Sequence, residues 1–189
     1  MEQVDQDRVF EHAGAPALSG AGRTFESCTF LGCDLSYADL SGQLFIDCLF
    51  RDCNLSLARV ANTGFQDTGF RNCKISGADF SQCRDFGLSF SFSGCILDYS
   101  VFHGKKLKNI RFEDCSLIEC DFTQADLMKA SFIQCRLDRA VFSRTNLSGA
   151  DFTSASGFSI DPENNRMTKA RFSAGSLAGL LDKYGLVIR

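Results

Sequence analysis

Between Cys120 and Phe142 a large apolar residue falls on every fifth position: Phe122, Leu127, Phe132, Leu137 and Phe142. A half-buried strand repeats every two residues and an α-helix every 3.6, so a spacing of five belongs to neither. If this residue is called a centre, centres run without a break from Phe25 to Phe80. They resume two residues out of phase from Phe92 to Phe152. Two residues are therefore inserted between these runs, and Phe86 is expected to act as the intervening centre. Taking every fourth centre gives one column that reads Phe30, Phe50, Phe70, Phe92, Phe112, Phe132 and Phe152. The next column is aliphatic, from Leu35 to Leu137, and two positions before its members stand Cys33, Cys53, Cys73, Cys95, Cys115 and Cys135. The chain thus has a super-period of 20 residues with a single step of 22.

Four units of five make a square coil. Each unit is one side, its centre points inward, and the residue two before the centre also points inward and must be small. The remaining positions face solvent, as the polar fillings of Thr123–Asp126 (TQAD) and Ser143–Asn146 (SRTN) indicate. Coils stack at about 4.8 Å through backbone hydrogen bonds, which makes a parallel β-helical solenoid whose units bury their apolar faces only against neighbours. The coils between Phe25 and Phe152 would make a rod roughly 30 Å long.

Units such as Ala38–Gly42 (ADLSG), Ala78–Gln82 (ADFSQ) and Ala150–Ser154 (ADFTS) resemble the repeats of the pentapeptide-repeat family over residues 23–156. That resemblance implies an all-β solenoid, a right-handed quadrilateral β-helix. The expected organisation is a partial first coil or irregular cap over 1–22, the β-helix over 23–156 with its insertion at 81–91, and an irregular last coil with a short C-terminal α-helix over 157–189.

Nineteen Phe against three Tyr and no Trp suit a dry interior, because Phe carries no polar handle. All ten cysteines fall in the small inward slot, which otherwise holds Ala and Thr, so they are expected as free, buried thiols. Zinc ligation needs thiolates that converge on a point. Stacked side chains point the same way, so a disulfide between coils would be strained. The two histidines are isolated and the aspartates before the centres suit corner turns. No catalytic residues, metal or cofactor are therefore expected, and the chain is not expected to be an enzyme. The acidic N-terminus has no secretory character and no apolar run reaches membrane-spanning length, so a cytoplasmic protein without a membrane partner is expected. Over 23–156 there are 16 acids and 14 bases, and direct nucleic-acid binding is not expected.

Function is expected where a regular scaffold departs from its pattern. Lys105 falls in an inward slot, where an unpaired ammonium would cost several kcal/mol, so it must swing outward or find a carboxylate. With Arg84, Lys106, Lys108 and Arg111 it forms a candidate anion or partner patch. The side whose slots hold Arg23, Gln43, Thr63, Cys83, Lys105, Ala125 and Thr145 is expected to be the loosest packed.

At the C-terminus Leu177, Leu180, Leu181 and Tyr184 lie at helical spacing, followed by Gly185, Leu186 and Ile188. Such a stripe either caps its own solenoid or meets a copy of itself. This segment resembles the end of the quinolone-resistance (Qnr-type) branch. The resemblance implies a homodimer through Leu177, Leu180, Leu181, Tyr184, Leu186 and Ile188. It also implies a rod that mimics DNA and binds a type II topoisomerase, either DNA gyrase or topoisomerase IV. The alternative is a structural or regulatory scaffold for another protein partner.

Overall fold

The structure is a computed structural model that describes residues 3–18, 20 and 22–187. Among these the chain winds as a parallel quadrilateral β-helix of about eight turns. One wall stacks nine strands in parallel, from Val9–Glu11 through Phe90–Ser93 to Arg171–Phe172. The predicted aromatic column is this wall's inner face. Phe30 lies opposite Phe50, Phe50 opposite Phe70 and Phe70 opposite Phe92, the last pairing being the step of 22. Their rings stack nearly parallel, with centroids 4.4 Å apart for Phe30 and Phe50 and 5.1 Å for Phe70 and Phe92. Rings on the adjoining wall meet them edge-on, as Phe25 meets Phe30 at 74°. Each ring therefore combines a stacked contact along the rod with an edge contact across it, the two geometries that aromatic quadrupoles favour.

Corners follow from local chemistry. The residue two after most centres has a positive φ, such as Tyr37 at 57°, Asp47 at 51° and Lys129 at 58°, and no β-branched side chain stands among them. That conformation is the one a tight turn of this kind requires. Aspartates before the centres accept the amide hydrogen two residues on, as Asp34 does from Ser36 at 3.1 Å and Asp121 from Thr123 at 2.8 Å. They stabilise corners, as expected.

The inward slots do more than hold small residues. Cys53 Sγ donates to the Phe30 carbonyl at 3.3 Å, Thr63 Oγ1 to Leu40 at 2.8 Å, Ser100 Oγ to Ile75 at 3.0 Å and Cys120 Sγ to Leu97 at 3.1 Å. Each of these four donors satisfies the carbonyl of a centre in the coil before, which explains why Cys, Thr and Ser share these places. All ten cysteines are free and buried. Burial pushes the thiols of Cys48 and Cys83 up to about 12, so they stay protonated donors near neutral pH.

Three regions differ from the pattern read in the sequence. Phe86 is not a centre: it is 86% exposed at the tip of a bulge. Phe90 turns inward instead, and its ring meets those of Phe65, Phe80 and Phe92. A Phe thus fills the slot two before Phe92, where a small residue was expected, because the bulge removes one centre and leaves a space only a large ring fills.

The second region is the N-terminus, which takes the coil of the two readings for 1–22, with coil geometry from Val4 ahead of the repeat read from residue 23. Val4–Gln6 pairs with Thr24–Glu26, and Val9–Glu11 with Thr29–Leu31. Asp5 occupies a centre position and is 4% exposed, paired with Arg23 at 2.6 Å and with Arg8. The guanidinium carbons of Arg8 and Arg23 lie 4.8 Å over the rings of Phe10 and Phe25. This ionic plug closes the end of the aromatic stack. The one-turn helix Ala15–Leu18 closes a side, with Leu18 buried and its carbonyl accepting from Gln43 Nε2 at 2.5 Å.

Third, the C-terminal segment forms 3-10 turns, Ala174–Leu180 and Asp182–Tyr184, in place of the expected α-helix. Gly175 and Gly179 weaken α propensity, and docking against the last coil decides the winding. The Gly179 carbonyl accepts from Ile160 N at 2.9 Å, and a Cβ added at Gly179 would lie 2.2 Å from the Phe158 carbonyl oxygen.

Candidate interaction surfaces

Two departures from regular coil present chemistry to the outside, the bulge and the C-terminal cap. The bulge is organised by one buried charge. Lys105 keeps its inward slot, with its side chain 6% exposed, and its Nζ donates to Asp85 at 2.8 Å and to the Cys83 carbonyl at 2.6 Å. Of the two outcomes open to this lysine it takes the carboxylate, which the inserted residues supply. Arg84 lies across the neighbouring corner, its Nε donating to the Asn62 carbonyl at 2.8 Å and its NH2 group to the Gly42 carbonyl at 3.1 Å. These bonds hold the loop down on both flanks and leave Phe86 projecting.

The five basic residues read as one patch therefore do not act alike. Lys105 is internal. Lys106 and Lys108 are exposed on the wall below the bulge, with Lys108 3.4 Å from Asp126. Arg111 sits on the adjoining wall and pairs with Glu113 at 3.1 Å. Beneath the bulge, Leu88–Phe90 and Lys106–Ile110 line a groove of about 190 Å³. Farther along the same side, a larger groove of about 440 Å³ runs past Ala125, Thr145 and Asn165. Grooves of about 470 and 360 Å³ lie on other sides, past Val141 and Ile160 and past Arg71 and Arg111, so this side is not set apart by its grooves.

At the other end, one face of the 3-10 segment is spent on the chain's own solenoid. Leu180 packs against the core, Lys183 reaches Asp161 and Glu163 at 2.6 Å, and the Tyr184 hydroxyl donates to Glu163 at 3.0 Å. Lysine holds both carboxyls below their ordinary values, and its own ammonium is held correspondingly above. The opposite face leaves Leu177, Leu181, Leu186 and Val187 exposed, along with the Tyr184 ring. Of the stripe read in the sequence, Leu180 alone is turned inward; Ile188 lies outside the described residues. Apolar side chains exposed together at a solenoid's end are unusual for an isolated chain.

Charge elsewhere is mixed. The wall that carries Asp39, Asp79, Asp121 and Asp161 also carries Arg59 and Arg144. No three His, Cys, Asp or Glu side chains converge as metal ligands among the described residues, and no described helix is long and apolar enough to cross a membrane.

The family model described as "Pentapeptide repeat region" matches residues 23–102 and 105–180. No curated protein matches the chain in sequence. Among solved structures, the chain is similar to full-length QnrB1, a plasmid-mediated fluoroquinolone resistance protein, with a TM-score of 0.56 and 20% identity. That match covers 97% of this chain and 100% of that one. It is also similar to HetL, a pentapeptide repeat protein involved in heterocyst differentiation regulation from the cyanobacterium Nostoc sp. strain PCC 7120. There the TM-score is 0.44, the identity 15%, and coverage 91% of this chain and 87% of that one. With its repeat matched over residues 23–102 and 105–180, this chain belongs to the pentapeptide repeat family.

Proposed function

We propose that this protein is a non-catalytic scaffold, a rigid rod that pairs with a second copy through its C-terminal cap and holds a protein partner along its flank. The observation that carries the reading is the divided cap. One face of Ala174–Tyr184 is anchored to the solenoid by Leu180, Gly179 and Lys183, which fixes the orientation of the other face and its row of exposed Leu177, Leu181, Leu186 and Val187. A rigidly held apolar patch on a two-fold end is self-complementary, as isologous dimers require. Replacing Leu177 and Leu181 with Glu should turn the dimer into a monomer in sedimentation at micromolar protein without loss of β-sheet signal. An unchanged mass would reject the cap as the interface.

A type II topoisomerase is the partner that the resemblance to the Qnr-type branch suggests, through mimicry of duplex DNA. The mixture of acids and bases, as on the wall that carries Asp39, Arg59, Asp79 and Asp121, favours a different protein partner, because mimicry calls for continuous acidic stripes. A gyrase supercoiling assay with and without a quinolone separates the two. Inhibition of supercoiling, or protection from the quinolone at micromolar protein, supports a topoisomerase partner; no effect leaves the scaffold with another one.

A further inference from the structure

One wall of the rod changes sign at the bulge. Above it, the rungs that begin at Val4, Thr24, Leu44 and Gly64 stack in parallel; below it, Lys106, Asp126, Asn146 and Arg166 do so. Four rungs therefore lie on each side of Phe86. On the outer corner of this wall the upper rungs carry Asp7, Asp47 and Asp67. The lower rungs carry Lys129 and Lys169, with Lys106 and Lys108 exposed beside the corner on the first of them. The exceptions are neutralised or displaced: Asp126 faces Lys108, and Arg84 is drawn onto the neighbouring corner.

We propose that this wall is a second interface between copies of the chain, packed antiparallel about a two-fold axis that passes through the bulge. It goes beyond the cap-to-cap pairing and does not depend on it. The warrant is register. A two-fold axis across the rod at Phe86 lays each upper rung on the lower rung at equal distance. One rung out, Asp67 meets the Lys106 and Lys108 rung; two rungs out, Asp47 meets Lys129; four rungs out, Asp7 meets Lys169. On the second rung Ile46 also meets Met128, an apolar pair inside the charged corner. On the third, Glu26 meets the neutral Ser148. Because the axis is a two-fold, every pair forms twice. The protruding Phe86, held by the Lys105–Asp85 pair, falls on the axis against its own copy, where a desolvated aromatic contributes most to an interface.

All ten native cysteines are buried, so an introduced surface thiol reports alone. In a Leu177→Glu/Leu181→Glu background, which removes the cap pairing, Phe86→Cys should cross-link to a covalent dimer under copper–phenanthroline oxidation. His103→Cys, an exposed position on a different wall, should cross-link far more slowly. In the same background, without the introduced cysteines, Asp47→Lys should weaken association about tenfold or more by setting like charges opposite twice, and adding Lys129→Asp should restore it. Both corners have positive φ, and each already accepts the other's residue type elsewhere on the rod, so the exchange is tolerated by the fold. Equal cross-linking of the two cysteine variants, a monomer at all micromolar concentrations before any charge is changed, or failure of the double exchange to restore association in a folded protein would overturn the interface. If the wild-type chain stays dimeric when the cap leucines are changed and then yields to Asp47→Lys, the cap reading fails and this one stands.

Discussion

The two ends of the solenoid meet the same difficulty by opposite means. A β-helix that simply stopped would expose stacked rings and unpaired strand edges. At the N-terminus the last rings are covered by guanidinium groups, with Asp5 buried between Arg8 and Arg23. At the C-terminus they are covered by the chain itself, through Phe158, Gly179 and Leu180, and the cover presents new apolar surface outward. An ionic lid finishes a rod; an apolar lid passes the problem to the next molecule. That contrast makes the C-terminus the end at which copies are expected to join.

The contrast can be broken most sharply at the buried charges. Asp5→Ala leaves Arg23, at 11% side-chain exposure, without its carboxylate, and a loss of about 3–5 kcal/mol is expected. Because contacts in a solenoid reach only to neighbouring coils, the loss should appear as faster amide exchange over residues 4–31 and leave the coils after Phe92 unchanged. At the other end Gly179→Ala drives a methyl group into the Phe158 carbonyl, and about 2–3 kcal/mol should be lost with exchange rising near 158–184.

A smaller effect, shared by the two ends, comes with pH. Burial opposes ionisation of Asp5, but hydrogen bonds from Arg23 and Arg8 outweigh it and hold the carboxyl below its usual value. The stability it contributes is therefore present above the ordinary carboxylate range near pH 4 and is lost as pH falls further. Asp161 and Glu163, also depressed, lose theirs in the same direction, whereas Lys183, raised, loses its contribution only as pH climbs above the ordinary lysine range. Acid should loosen both ends and mild alkali neither. The smallest effect comes from salt. At 1 M the screening length is about 3 Å, so the exposed Lys183 pairs should weaken while the buried plug holds. Equal salt sensitivity of exchange at the two ends would contradict the distinction.

The regular walls were legible because a period of five has one solution. Phe30 through Phe152 and the thiols from Cys33 to Cys135 could be placed without coordinates, since no other fold puts a centre and a small slot in that alternation. What the slots do was hidden: Cys looked like a small apolar residue, and its role as donor to a carbonyl 23 residues earlier appears only once the coils are stacked. The insertion misled because Phe86 and Phe90 are both plausible centres by spacing. In the structure neither is a centre: Phe90 fills a slot, and Phe86 projects beside Asp85, which stays exposed while it pairs with the inward Lys105. The first coil was obscured for a related reason, with an aspartate where a Phe belongs and an arginine where a Cys belongs. At the C-terminus, the spacing of Leu177, Leu180, Leu181 and Tyr184 reads as α, and the close approach of Gly179 to Phe158, which favours 3-10 winding with Leu180 turned inward, is not visible in that spacing. Of the candidate surface, the exposed leucines could be named in advance. The sign change along one wall could not, because it emerges only when residues 20 apart are laid side by side.

The step of 22 shows that the winding absorbs an irregularity within one turn and regains its registration on the next, with Phe70 opposite Phe92. Length in such a molecule is therefore graduated. Deleting or duplicating a whole turn between Phe92 and Phe152 should slide the cap relative to Phe86 by one gradation of about 4.8 Å and leave each of them intact. The rod is in this sense a ruler, and whatever reads both marks at once would register the change as a mismatch of distance rather than of chemistry.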